Sequence, residues 1–126
     1  MHKRIVLVGA GSAQFGFGTL GDVFQSETLR GSTIVLHDIN AVSLASVKET
    51  AQDFISQNKL DFHITATTDR AEAFHGADFV IISIEAGDRF KFWEEDWRVP
   101  QQFGIRQVYG ENGGPGGLFH SLRIIP

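Results

Sequence analysis

Gly9, Gly11 and Ser12 follow directly on the apolar run Arg4-Ile5-Val6-Leu7-Val8, and this spacing carries the first chemical signal in the chain. Backbone free of side chains at positions 9 and 11 can approach a diphosphate, and a helix opening at Ser12 points N–H groups at the anion. Asp38 closes a second apolar run, Thr33-Ile34-Val35-Leu36-His37, where a carboxylate can accept both hydroxyls of a ribose. Together these residues read as the opening half of a dinucleotide-binding fold. NAD is favoured over NADP, because a carboxylate repels a 2′-phosphate and neither His37 nor Asn40 supplies a compensating arginine. The third glycine of the usual spacing would fall at Gln14, with Gly16 two residues later. Two simpler readings stay open: a tight strand–helix turn that holds no ligand, and Asp38 as a helix cap.

The elements that must position these residues follow from pattern. A first strand is expected over 3–8, apolar throughout as a central parallel strand should be. Ser12 to about Gln25 reads as a helix despite Gly16, Gly18 and Gly21. Each such glycine costs about 0.8–1 kcal/mol relative to alanine, so their presence suggests close approach to a cofactor or to the sheet. Residues 33–37 give a second strand. Asn40 can cap a second helix with Leu44, Val47, Ala51, Phe54 and Ile55 on one face. Phe62, Ile64 and Ala66 alternate with His63 and Thr65, as in a third, more exposed strand. Asp69 and Glu72 form a capping box for a short helix ending at Gly76, and residues 78–83 read as a fourth, buried strand. Ser83 then stands on the carboxyl edge, and the loop Ile84-Glu85-Ala86-Gly87-Asp88-Arg89 crosses that edge. The alternation predicts an α/β fold, a Rossmann-like parallel sheet with helices on both faces. Four strands can be placed where a complete fold has about six, so the chain reads as truncated.

Bulk properties bound the rest. At 126 residues, 42% apolar and 21% charged, the chain has the composition of one soluble domain spanning 1–126. A net charge of −4 without any basic run argues against nucleic acid or an anionic membrane as partner. The absence of cysteine excludes disulfides and thiolate chemistry within the chain and fits a cytoplasmic setting. The apolar run after His2-Lys3-Arg4 breaks at Gly9, short of a secretory core, and no stretch is long enough to span a membrane. His2, His37, His63, His75 and His120 show no metal-ligand spacing. Glu94, Glu95 and Asp96 are adjacent and are expected on a solvated helix face, with Trp93 and Trp97 packing inward.

The chain resembles the NAD- and divalent-metal-dependent glycosidases of glycoside hydrolase family 4. The resemblance is carried by Val8-Gly9-Ala10-Gly11-Ser12-Ala13-Gln14-Phe15, by Leu36-His37-Asp38-Ile39-Asn40 and by Gly76-Ala77-Asp78-Phe79-Val80-Ile81. Its most specific part runs from Phe103-Gly104-Ile105 through Gly113-Gly114-Pro115-Gly116-Gly117 to Leu122-Arg123-Ile124-Ile125-Pro126. Within the family it looks closest to the α-galactosidase, α-galacturonidase and α-glucosidase branch. The resemblance implies hydrolysis of O-glycosidic bonds by transient oxidation at C3 of the sugar, deprotonation at C2 and elimination, with NAD recycled and Mn²⁺ polarising the C3 ketone. It implies a small-molecule glycoside as substrate and a homo-oligomer as the full-length form.

Carried over by position, Gly9, Gly11, Ser12 and Phe15 match the phosphate loop and Asp38 the ribose contact. Ser83, Glu85 and Gly87 match the loop beside the nicotinamide ribose. Glu111 stands where relatives place an acidic residue ahead of the GPGG segment, and a carboxylate there could act as general acid. The relatives usually carry aspartate followed by threonine, whereas this chain reads Gly110-Glu111-Asn112. Arg123 reads equally as a substrate contact or a surface arginine. The family's metal-binding cysteine and histidine and its tyrosine base fall beyond Pro126, and Tyr109 does not match the base, so this chain alone is expected to be inactive. Two alternatives remain at this point: a dehydrogenase related to lactate and malate dehydrogenases, and a non-catalytic NAD-binding module.

Overall fold

The computed structural model describes residues 2–109 and 113–125. They fall into two compact units, Met1–Ser83 and Ile84–Pro126.

In the first unit β1 (Arg4–Val8), β2 (Thr33–His37), β3 (His63–Thr67) and β4 (Phe79–Ile82) form a parallel sheet in the order β3-β2-β1-β4. The crossovers are α1 (Ala13–Gln25), α2 (Ala41–Asn58) and the short α3 (Arg70–Phe74). Caps set the helix starts: Ser12 for α1, Asn40 for α2 and Asp69 for α3 each accept a main-chain N–H with a side-chain oxygen. The alternation of β1 splits the core. Ile5 and Leu7 pack with Leu20, Val23 and Phe24 of α1 and Leu44, Val47 and Ala51 of α2. Val6 points the other way, to Val35 and to Ala73 of α3. The helices change face where the strand order reverses, between β1 and β4. Crossovers of one hand require this, and ligands bind α/β sheets at such a point, outside the carboxyl ends of the strands.

The fourth strand corrects one expectation. β4 forms where the sequence places it, but Phe79, Val80, Ile81 and Ile82 are exposed, by 55%, 43%, 38% and 62%. Among the described residues β4 is hydrogen-bonded to β1 alone, at the margin of the sheet. A run apolar on both faces shows that a strand is suited to burial, and says nothing of which elements cover it. Phe54, expected on the buried face of α2, is half exposed and stacks on Phe24 with ring centroids 5.8 Å apart.

Asp78 fixes the register between β1 and β4. Its carboxylate accepts from Lys3 Nζ at 2.9 Å and from the Arg4 N–H at 2.8 Å, and its own N–H donates to the Arg4 carbonyl at 2.9 Å. The Lys3 hydrogen bond, then that from Arg4, hold the Asp78 carboxyl below the usual carboxylate range. A depressed folded-state value stabilises the fold above the unfolded carboxyl's pKa of about 3.9 and ceases to do so as pH falls through the folded value. Asp78→Asn should therefore flatten the loss of stability on acidification below about pH 4, measured by urea unfolding across pH. Because the pair is solvent-exposed, the change should be small.

The second unit consists of α4 (Arg89–Gln101) and α5 (Gly114–Ile124), packed together. Asp88 caps α4, and Gly114-Pro115-Gly116-Gly117 forms the first turn of α5, with proline near the start where its missing N–H costs nothing. Gly116 is buried because α4 passes close by: a Cβ there would lie 2.6 Å from the Asp96 carbonyl oxygen and 2.1 Å from Gln107 Nε2. Gln107 bridges the two, donating to the Asp96 carbonyl at 2.9 Å and accepting from the Gly116 N–H at 3.1 Å.

The acidic run on α4 corrects a second expectation. Glu94 is exposed, but Asp96 is only 8% exposed and takes both terminal guanidinium nitrogens of Arg123, one at 2.9 Å. The counter-charge that permits this burial lies 27 residues away, on α5. Arg123 is thus held in an ion pair with Asp96 and is not a free surface arginine. Its guanidinium also lies 4.8 Å from the centre of the Phe92 ring, and the bond to Asp96 raises its already high pKa. Trp93 and Trp97 are half-buried against Tyr109.

Candidate functional site

Parallel pairing sets Val8 beside His37 at the carboxyl ends of β1 and β2. There the chain turns at Gly9, whose φ of +86° lies in the region that side chains disfavour. The N–H groups of Gly9 and Ala10 both donate to the His37 carbonyl, at 2.9 and 3.1 Å, and the Ser12 N–H donates to the Gly9 carbonyl at 3.2 Å. Ser12 Oγ accepts from the Phe15 N–H at 3.5 Å and caps α1. The positive end of α1 therefore sits at the switch point, where the first-turn N–H groups favour an anion.

Asp38 closes the turn from the neighbouring strand. Oδ2 accepts from the Gly11 N–H at 2.8 Å, and Oδ1 from the Asn40 N–H at 2.9 Å. Asn40, not Asp38, caps α2, taking the N–H groups of Val42 and Ser43 at 3.1 Å each. The cap reading of Asp38 is therefore set aside. Gly11 is required by this closure: a Cβ there would lie 2.8 Å from Asp38 Oδ2 and 3.2 Å from Ser43 Cβ.

The third glycine is Gly16, two residues past the usual spacing, and its close approach is to the turn after β1 and to α2. A Cβ at Gly16 would lie 2.4 Å from the Ala10 carbonyl oxygen and 3.4 Å from Val47 Cγ1, so Gly16 supplies the close helix–strand approach expected of position 14. Only the loop's wider spacing, with a glycine one turn into α1, could have pointed to it. Gly18 and Gly21 have no such neighbour.

Ser83 follows β4 directly, with its N–H on the Val8 carbonyl at 2.9 Å, so it too stands at the carboxyl edge. Gly9, Gly11, Ser12, Asp38 and Ser83 thus gather at one end of the first unit's sheet. Phe15 differs: its side chain packs partly buried against the core, leaving its main chain at the loop.

Glu85 and Gly87 belong to the second unit. Gly87, at φ +81°, turns the chain into α4 under the Phe92 ring, 2.7 Å from where a Cβ would lie. The Glu85 carboxylate faces Arg89 Nε at 3.7 Å and His120 Nδ1 at 3.9 Å. Glu111 lies outside the described residues. Among the described residues no three His, Cys, Asp or Glu side chains converge as a metal site requires. Among the described residues no helix is long and apolar enough to cross a membrane.

The profile of the family described as Family 4 glycosyl hydrolase matches residues 4–126. The chain belongs to this family. Among family 4 relatives, an α-glucosidase of Erwinia rhapontici is 68% identical over 126 residues, covering 100% of this chain and 28% of the relative. An α-galactosidase of Bacillus subtilis (strain 168) is 32% identical over 124 residues, covering 98% of this chain and 29% of the relative. The crystal structure of a 6-phospho-α-glucosidase from gut microorganisms, in complex with NAD and Mn²⁺, matches with a TM-score of 0.75 at 26% identity. That match covers 97% of this chain and 27% of the other. A 6-phospho-β-glucosidase of Thermotoga maritima shares the fold, with a TM-score of 0.73 at 23% identity over 100% of this chain and 29% of its own. The family 4 chain therefore spans less than a third of the length of these proteins, and its four-stranded sheet corresponds to a Rossmann-like N-terminal region.

Proposed function

We propose that this chain is the NAD-binding portion of a family 4 glycosidase that hydrolyses O-glycosidic bonds by transient C3 oxidation, C2 deprotonation and elimination. The observation that carries the reading is the junction of the Gly9–Ser12 turn, the start of α1 and the Asp38 carboxylate at the sheet's switch point. Gly9 and Gly11 leave the main chain bare for a diphosphate, and the start of α1 offers N–H groups and a positive dipole end. Asp38 is held by two main-chain N–H groups and retains acceptor capacity for the ribose hydroxyls. Ser83, directly after β4, is the first residue of the segment proposed to border the nicotinamide ribose, with Glu85 and Gly87 following. NAD⁺, when bound, supplies a hydride acceptor that can return the hydride after the bond is cleaved.

Mn²⁺ finds no donor set among the described residues, so no ligand or step is assigned to it within this chain. Glu111 remains the proposed general acid, on its position ahead of the GPGG segment alone. The proposed substrate is a small glycoside, in a cytoplasmic and homo-oligomeric full-length enzyme. Family membership sets aside the lactate and malate dehydrogenase reading.

Calorimetric titration with NAD⁺, with NADP⁺ as control, tests the site. Asp38→Ala should weaken NAD⁺ by about a hundredfold, since two charge-assisted hydrogen bonds of about 1.5 kcal/mol each are lost. Equal affinity in the variant would remove the ribose assignment. A folded parent that ignores NAD⁺ would remove the cofactor reading for this chain.

A further inference from the structure

His37 is a buried ionisable side chain that the proposed chemistry does not use, and it occupies the junction on which the glycine loop depends. It is 6% exposed at the last rung of the sheet, paired with Val8 of β1 on one side and Thr67 of β3 on the other. Its main-chain carbonyl takes the N–H groups of both Gly9 and Ala10, and the residue after it is Asp38. The direction of the peptide at His37 therefore sets both the turn and the carboxylate that closes it.

The side chain fixes that direction from the far side. Nδ1 lies 3.0 Å from the Thr67 carbonyl, which can only accept, so Nδ1 carries the hydrogen. Thr67 is itself held, because its Oγ1 donates to Glu72 and accepts the Asp69 N–H at 3.1 Å, within the cap of α3. The imidazole meets the Phe74 ring edge-on, with centroids 6.4 Å apart. One side chain thus ties the end of β2 to the end of β3, and packs against Phe74 of the capped helix α3.

We infer that His37 is a positioning residue for the cofactor cradle, acting through its Nδ1–H bond to Thr67 to hold the Gly9–Gly11 turn and Asp38 in register. The inference rests on the NAD reading for its cofactor part and on the ligand-free geometry for the rest. Amide hydrogen exchange of the free protein and NAD⁺ titration are therefore run together. His37→Phe keeps a ring against Phe74 and removes the donor. His37→Asn places an amide nitrogen where Nδ1 stood. Ile64→Ala, in the core part of β3, lowers stability without touching the junction.

In His37→Phe, exchange at Gly9, Ala10 and Gly11 should accelerate about tenfold while that of Leu7 stays slow, and the Kd for NAD⁺ should rise about tenfold. His37→Asn should restore both to within about threefold of the parent. Ile64→Ala should lower Tm and leave both readouts unchanged in the folded protein. Unchanged loop exchange in folded His37→Phe would overturn the inference. So would an equal effect of Ile64→Ala, which would reduce His37 to general stability. Should His37→Phe fail to fold, His37→Leu, which also lacks the donor, carries the test: accelerated loop exchange upholds the role of the donor, and unchanged exchange overturns it. A loop response in His37→Phe together with a parent that does not bind NAD⁺ would defeat the cofactor reading and leave His37 as the anchor of the turn.

Discussion

Gly16→Ala should destabilise the first unit by about 1–3 kcal/mol, the range for overpacking a filled site, and should weaken NAD⁺ binding with it. The added Cβ would stand 2.4 Å from the Ala10 carbonyl oxygen, on backbone that is itself in the core. No flexible side chain can yield there. The start of α1 must instead move away from β1, and the turn that ends in Ser12 moves with it. Gly18→Ala is the matched control. With nothing near its Cβ, alanine at position 18 should stabilise the helix by about 0.8–1 kcal/mol. Urea unfolding gives both signs in one experiment, and a Gly16→Ala protein as stable as its parent would show that α1 does not press on the loop.

Arg123→Leu should cost the second unit about 3 kcal/mol. Asp96 would be left nearly buried and without its counter-charge, a defect worth about 3–5 kcal/mol in fully buried pairs. The lower end applies because the Arg123 side chain keeps 28% of its surface in solvent. The double variant Asp96→Leu/Arg123→Leu should recover most of the loss, since the desolvation of both charges disappears together with their attraction. Trp93 and Trp97 lie on α4, so their fluorescence during denaturant unfolding reports on this unit. A single variant with the parent's midpoint would mean that Asp96 finds water instead of Arg123.

Elements whose signals are local were readable from the sequence. The β1–turn–α1 junction, the Asn40 and Asp69 caps and the apolar face of α2 at Leu44, Val47 and Ala51 stand where pattern put them. Each depends on residues within about one helical turn of one another. Features set by distant partners were not readable. Asp96 reads as solvated until α5 brings Arg123 to it. The four apolar residues of β4 read as buried, although β1 flanks them on one side only. Gly16 looked displaced from its motif because spacing counts residues, whereas the contact depends on how α1 crosses Ala10. His37 looked like an ordinary strand residue, since its partner Thr67 is 30 residues on. The end of α2 carried no signal at all: Lys59 takes the left-handed conformation, φ +51°, where a glycine would have announced the stop.

The closure of the turn by Asp38 bears on how such a motif persists through descent. Gly11 is the residue taken as a sign of nucleotide binding, yet the first atoms its absent side chain would strike belong to Asp38 of the same chain. A lineage that abandoned the nucleotide would still favour glycine at position 11 as long as the Asp38 carboxylate kept its bond to the Gly11 N–H. The constraint runs one way: glycine at 11 accepts any change at 38, whereas a side chain at 11 needs the Asp38 carboxylate to turn aside or be lost, so the fingerprint can outlive the ligand.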